Sequence, residues 1–254
     1  MKILINGTTL HVRESGAGEV ALVFLHYFGG SSRSWDEVTA RLPDFRCIAP
    51  DLRGFGDSQA PDNGYSVDEQ ADDIAALIEA LGVECFVLVG HSMGGKIALA
   101  LAARRPKGLE RLVLLAPSPP TPEPMSDAER ERLSLGFGDP EAAEQTARSI
   151  TARAISPAIR GRIIKDNLRS SRVAWHAWLQ GGSREDISSR MKRIEVPVLV
   201  LAGECDEGMT PDLLRRQVVE RIGAAQERVV SGAGHLLPLE APDEVALACG
   251  ALHN

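Results

Sequence analysis

Four short stretches of the chain read as continuous apolar runs: Val20-Ala21-Leu22-Val23-Phe24-Leu25-His26, Cys85-Phe86-Val87-Leu88-Val89, Leu112-Val113-Leu114-Leu115 and Val198-Leu199-Val200-Leu201. A strand with one wet face alternates apolar and polar residues. A strand that is apolar on both faces suits the centre of a parallel sheet covered by helices on each side. Between these runs the spacing becomes helical. Ser66-Val67-Asp68-Glu69 is a capping box, Ile74, Leu77, Ile78 and Leu81 follow at helical intervals, and Gly82 stops the helix. Residues 93–104 and 211–222 read as further helices, and residues 2–14, with Asn6-Gly7 between apolar segments, as an opening antiparallel hairpin. The β-α-β-α-β alternation predicts a doubly wound α/β fold.

The alternation stops between about 117 and 190. Pro117, Pro119, Pro120, Pro122 and Pro124 form a Pro-rich exit from the third apolar run. Helical patterns follow near 126–135, 140–153, 157–169 and 171–180, and strand character returns at Val196. The expected division is a core of residues 1–116 and 191–254 with a helical cap inserted at 117–190. Within the insertion, residues 123–147 are rich in Asp and Glu, whereas 148–193 hold Arg148, Arg153, Arg160, Arg162, Lys165, Arg169 and Arg172. These charges are expected to solvate helix faces.

Composition removes several classes. The chain has 254 residues and a formal net charge of −7, so it lacks the basic footprint of a nucleic-acid binder. It has no apolar run of the roughly 18 residues that a membrane-spanning helix needs. The apolar part of Met1–Gly7 is too short for the core of a signal peptide. Cys47, Cys85, Cys205 and Cys249 have neither metal-ligand spacing nor the density of a secreted framework. Reduced thiols in the cytoplasm and no metal site are the expectation.

The chemistry is concentrated in Gly90-His91-Ser92-Met93-Gly94, which follows an apolar strand and opens a helix. Gly-x-Ser-x-Gly in that setting is a nucleophile elbow, a strained turn that projects the serine hydroxyl from the sheet. The flanking positions are small because bulk there would strike the neighbouring strand or helix. The N-terminus of the helix that follows favours developing negative charge. Four more motifs occur in order: His26-Tyr27-Phe28-Gly29-Gly30, Asp51-Leu52-Arg53-Gly54-Phe55-Gly56-Asp57-Ser58, Gly203-Glu204-Cys205-Asp206 and Gly232-Ala233-Gly234-His235. With these five motifs the chain resembles the α/β-hydrolase superfamily over nearly its whole length, in the branch of small bacterial esterases, lactonases and cofactor-free haloperoxidases. That resemblance implies the α/β-hydrolase fold, a mostly parallel eight-stranded sheet with helices on both faces and a helical cap.

It also implies the chain order serine, acid, histidine. Three histidines follow Ser92. His253 is one residue from the chain end, where fraying is expected, and His176 lies in the cap. His235, in a Gly-rich loop after a strand-like segment, is the expected base. Glu204, Asp206 and Glu207 compete as the acid, and the family pattern Gly-Glu-x-Asp points to Asp206. The oxyanion hole is expected from the backbone N–H groups of Met93, after the nucleophile, and Phe28, after an early strand. Tyr27 stands where members of the family more often have Gly, which places a phenol near the pocket. Met209 and Leu236 adjoin motif residues, and the cap adds Phe137, Trp175 and Trp178, the last two on one helix face. Together they are the expected apolar pocket. His26 and His91 are expected to hold loops by hydrogen bonds, and Asp51–Ser58 to be a structural turn.

Residue types narrow the reaction. A serine nucleophile disfavours dehalogenase and epoxide-hydrolase chemistry, which need a carboxylate there. His91 stands where carbon–carbon bond hydrolases often carry Asn, and Gly29 where haloperoxidases usually carry Pro. The elbow also differs from the Gly-Gly-Ser-Trp-Gly typical of proline iminopeptidases. The expectation is therefore a hydrolase of small carboxylic esters or lactones that needs no cofactor, metal, nucleic acid or membrane. A cofactor-free haloperoxidase or perhydrolase is the alternative, and a slow-turnover ligand receptor of the same fold the rival from another class.

Overall fold

The chain enters its sheet through the expected hairpin. In the computed structural model, which describes residues 1–251, β1 (Lys2–Ile5) and β2 (Thr8–Ser15) pair antiparallel, with Lys2 opposite His11. Asn6 and Gly7 between them both take positive φ, 47° and 77°. This mirror-image turn matches the twist of the strands, and Asn-Gly adopts it readily. Next come β3 (Ala21–Leu25), a short α1 (Asp36–Thr39), β4 (Arg46–Pro50), α2 (Val67–Ala80), β5 (Phe86–His91), α3 (Met93–Ala102) and β6 (Leu109–Leu115). The capping box at Ser66 and Glu69 forms as expected. β4 is a strand that the hydrophobic pattern does not announce. Only Cys47-Ile48-Ala49 are apolar in sequence, and the segment becomes a strand because β2 pairs with one of its edges and β3 with the other.

Between β6 and β7 (Val198–Gly203) lie α4 (Asp127–Leu135), α5 (Pro140–Ser149), α6 (Pro157–Arg169) and α7 (Arg172–Gln180), followed by two 3₁₀ turns. Each helix begins at a side-chain cap, Ser126, Asp139, Ser156 or Ser171, whose oxygen accepts a backbone N–H of the first turn. These four match the expected segments, except that α5 stops at Ser149 rather than 153. The chain closes with α8 (Pro211–Gln217), β8 (Ala225–Val230), α9 (Leu237–Glu240) and α10 (Pro242–Gly250). α8 is five residues shorter than the 211–222 pattern suggests. At the β-branched pair Val218-Val219 it passes into a 3₁₀ turn, Val219–Arg221.

The eight strands run in the order β1-β2-β4-β3-β5-β6-β7-β8, antiparallel through β4 and parallel from there on. β3, β5 and β7 are buried at every residue, as their two-sided apolar runs require, whereas the edge strand β8 is mostly exposed or half-buried. α2 packs on α3, and α3 lies against β3, β5 and β6. No helix among the described residues is long and apolar enough to cross a membrane. All four cysteines are free thiols.

Some charges of the insertion depart from expectation, while Arg148 and Arg160 stay on its own helix faces and pair with Glu144. Arg162 reaches Asp36 at 2.8 Å and Glu37 at 3.4 Å. Arg190, in the 3₁₀ turn Ser188–Arg193, grips Asp68 with both Nη atoms at 2.6 and 2.8 Å. Arg153 meets Glu244 at 3.0 Å, Arg169 meets Asp57, and buried Asp166 takes Arg33 and the Ser31 hydroxyl. These groups dock the insertion onto the core instead of merely solvating its faces. From the core side, buried Lys96 of α3 sends its ammonium to the carbonyls of Thr121 and Glu185, 3.1 and 2.6 Å away, one at each end of the insertion. Burial pushes its pKa down to about 8.

Candidate active site

The loops that leave the C-terminal ends of β3, β5, β7 and β8 converge on one point. Open α/β sheets place their ligands there, because the strands end together while their connections diverge. Ser92 follows β5 directly, with φ 52° and ψ −117°, a conformation that costs a residue with a Cβ about 1–3 kcal/mol. The surroundings hold it in place. A Cβ on Gly90 would come within 2.6 Å of the Gly94 carbonyl oxygen, and one on Gly94 would collide with the Leu25 carbonyl. Both glycines are therefore steric requirements of the turn.

Around Ser92 the structure brings together two of the expected partners. The Ser92 Oγ–H lies 2.9 Å from His235 Nε2, and His235 Nδ1 lies 2.6 Å from Asp206 Oδ2. The other Asp206 oxygen accepts the N–H groups of Gly208 and Met209 at 3.0 and 2.9 Å. Burial opposes the Asp206 charge, but His235 and these N–H donors outweigh it and keep the carboxyl below its usual range. Burial likewise opposes a proton on His235, and the charges of Asp206, Glu123 and Glu240 outweigh it, so the imidazole is more basic than an ordinary histidine. Glu204 is engaged elsewhere, accepting from Ser231 Oγ and Gly232 N at 2.7 Å each. Glu207 is exposed and makes no hydrogen bond to His235.

The other expected residues also find places. The elbow is tied to the loop after β3 by Gly94 N–H donating to the His26 carbonyl at 3.2 Å, so the backbones of Met93 and Phe28 lie on adjoining segments. His26 accepts from Leu52 N–H at 2.9 Å and donates to the Tyr27 carbonyl at 2.8 Å, while His91 Nε2 donates to the His235 carbonyl at 2.8 Å. Both histidines hold loops. Asp51 gathers Ser32 N–H, Asp57 N–H and His11 around its carboxylate, which makes Asp51–Ser58 a turn built on one buried acid. Phe28 faces Trp175, with ring centroids 4.3 Å apart, and Phe137 lies 5.6 Å from Trp175. Trp178 is farther from Phe28, at 6.5 Å, and belongs to the main core. Tyr27 and Leu236 pack with Ala147, Ile163 and Leu239 in a second apolar cluster between core and insertion. Met209 is buried beside Asp206. His176 pairs with Ser134 inside the insertion, and His253 lies outside the described residues.

Sequence reading missed Glu123, a buried acid in the Pro-rich exit, beside Ser118, whose N–H donates to the Ser92 carbonyl. Burial raises its pKa. Its neighbours in sequence are prolines and Thr, and no local pattern marks it as buried.

This sheet, with a serine elbow after its fifth strand and a histidine after its eighth, is that of the α/β hydrolases. A family model described as "alpha/beta hydrolase fold" matches residues 20–159, and the chain belongs to this family of enzymes. Among curated proteins it is 32% identical to the 2-(acetamidomethylene)succinate hydrolase of Mesorhizobium japonicum, over 80% of this chain and 77% of that one. It is 27% identical to a bifunctional esterase/perhydrolase of Acinetobacter calcoaceticus, over 92% and 91%. Among solved structures an esterase from Exiguobacterium antarcticum superposes with a TM-score of 0.91 at 22% identity, covering 98% of this chain and 97% of that one. The protein is thus an α/β-fold hydrolase of the esterase and haloperoxidase branch.

Proposed function

We propose that the protein hydrolyses small carboxylic esters or lactones through an acyl-enzyme formed on Ser92. The observation that carries this reading is the unbroken hydrogen-bond chain from Ser92 Oγ through both nitrogens of His235 to Asp206. His235 Nε2 takes the hydroxyl proton as Ser92 Oγ bonds to the carbonyl carbon. Asp206 keeps the proton of Nδ1 in place and stabilises the imidazolium without itself becoming protonated. The tetrahedral oxyanion rests on the N–H of Phe28, in the loop after β3, and on that of Met93, at the N-terminus of α3. His235 then returns its proton to the leaving oxygen, which for a lactone stays tethered to the acyl group. A water deprotonated by His235 attacks the acyl carbon, the bond to Ser92 Oγ breaks as His235 returns the proton to that oxygen, and the acid leaves.

In this reading the insertion is a cap, and Phe28, Phe137 and Trp175 line the acyl side of the pocket, with Trp178 behind them and Tyr27, Met209 and Leu236 buttressing the loops. The four free thiols fit a reducing cytoplasm. The esterase/perhydrolase relative supports a second reading, in which hydrogen peroxide replaces water in deacylation and yields a peracid.

The test is a panel of p-nitrophenyl esters of increasing chain length with simple and acyl-homoserine lactones, each run with and without peroxide, on the wild type and Ser92→Ala. Turnover of at least one ester or lactone is expected, with a loss of about 10⁴–10⁶-fold in kcat in the variant and an unchanged circular dichroism spectrum. Retention of more than a few percent of activity in Ser92→Ala would remove Ser92 as the nucleophile.

A further inference from the structure

Glu240, five residues after His235, is buried and its carboxylate accepts four backbone N–H groups. Oε2 takes Gly234 at 2.9 Å, Ala152 at 2.8 Å and Arg153 at 2.8 Å, and Oε1 takes Leu236 at 3.0 Å. Gly234 and Leu236 flank His235 on either side. Ala152 and Arg153 belong to the turn between α5 and α6 of the insertion. The same turn accepts the His235 N–H on the Ile150 carbonyl at 2.9 Å, and the His235 carbonyl is taken by His91 at 2.8 Å. The fit is close, since a Cβ on Gly234 would lie 2.8 Å from Ala152 N and 3.0 Å from the Ile150 carbonyl oxygen. α5 ends at Ser149, which frees the backbone of Ile150–Arg153 for these contacts.

We propose that Glu240 is a positioning residue which, with the insertion turn Ile150–Arg153, clamps the backbone of His235 so that its ring meets Ser92 and Asp206. The proposal rests on the acyl-transfer reading above. It gives the insertion a role beyond covering substrate, because part of the mount of the base is insertion backbone. A carboxylate suits the task where an amide does not. Its two oxygens accept all four N–H groups, whereas Gln offers one oxygen and an NH₂ that must face a donor. Small errors in the placement of a reacting group lower kcat steeply.

The charged and titratable groups that bear on His235 are Asp206 from the loop after β7, Glu123 from the Pro-rich exit, Glu240 from α9 and the neutral His91 from β5. The three carboxylates raise its basicity, so removing the Glu240 charge moves the acid limb of kcat/KM to lower pH.

The experiment compares wild type, Glu240→Gln, Glu240→Asp and Ser92→Ala on the best ester of the panel, across pH. For Glu240→Gln the expectation is a fall of about 10–100-fold in kcat, a KM within about threefold of wild type, and an acid limb displaced to lower pH. Glu240→Asp keeps the charge but is a methylene too short, so its limb stays in place while kcat remains reduced. A kcat for Glu240→Gln within twofold of wild type, a loss confined to KM, or an unmoved acid limb would overturn the clamp. Should Glu240→Gln fail to fold, Ala152→Pro removes a single insertion N–H and leaves the carboxylate and the histidine loop intact. It is expected to lose about 3–10-fold in kcat, and a wild-type kcat there overturns the proposal. Ser92→Ala separates the two readings. If it is inactive while Glu240→Gln turns over normally, only the clamp falls, and if it is active, the acyl-transfer reading and the clamp fall together.

Discussion

The elbow that carries Ser92 and the insertion that lies over it are held by different forces. The elbow follows a strand buried at every residue, and its shape is enforced by contact, with no room for a Cβ at Gly90 or Gly94. The insertion meets the core through apolar contacts and, besides these, through many polar groups. Arginines reach carboxylates on the core, Lys96 reaches carbonyls at both ends of the insertion, and Glu240 reaches its N–H groups. Close packing tolerates almost no displacement, whereas exposed ion pairs are individually weak and screened by salt. In the reading proposed above, the rigid half presents the nucleophile and the half with softer attachments meets the rest of the substrate. Several links cross this division, among them Phe28 on Trp175 and Tyr27 and Leu236 against Ala147 and Ile163. Trp178 of α7 packs into the main core, and Ile150–Arg153 is fastened to the histidine loop.

Substitutions on the two sides should therefore fail in different ways. Asp206→Asn attacks the rigid half. The amide favours the wrong imidazole tautomer, and kcat should fall about 10⁴-fold, roughly 5.5 kcal/mol, on short and long esters alike. Glu204→Gln, whose residue bonds Ser231 and Gly232 instead, should change kcat by less than about tenfold. A larger loss at Glu204 than at Asp206 would reassign the acid.

Trp178→Ala and Trp175→Ala probe the boundary. Trp178, buried in the core, should cost about 3–5 kcal/mol of stability in chemical denaturation, with similar kinetic losses on acetate and octanoate esters. Trp175, stacked on Phe28, should lower kcat/KM for octanoate by about 1–3 kcal/mol and leave acetate nearly unaffected. Equal losses on both esters in Trp175→Ala would mean that this ring only holds the insertion together.

Arg162→Ala tests the soft attachment itself. With its partners Asp36 and Glu37 about a third exposed, the loss should be about 0.5–1 kcal/mol, or a few degrees in Tm, and should shrink in high salt. A loss of several kcal/mol would place the insertion among the rigidly packed parts.

Much of this was legible beforehand, for local reasons. Two-sided apolar runs marked β3, β5, β6 and β7, helical patterns marked the four insertion helices, and the spacing of glycines marked the elbow. β4 was not legible, because three apolar residues do not make a recognisable run and its strand character comes from two neighbours. The docking of Arg153, Arg162 and Arg169 is not legible, because a sequence shows a charge but not the carboxylate it meets some ninety or more residues away. Asp206 could be separated from Glu204 and Glu207 only through family resemblance, and the geometry then shows which carboxylate lies against His235 Nδ1.

By itself the sequence determined the periodicities, the caps, the order of the motifs and the tight turn at Ser92, since each depends on residues a few positions apart. Tertiary structure alone decided that Glu240 lies under His235, that Glu123 and Lys96 are buried, and that the α5–α6 turn grips the histidine loop. Those outcomes depend on which backbone groups are left without partners when distant segments meet. A buried N–H must find an acceptor wherever the fold has put one, and no window of sequence contains both.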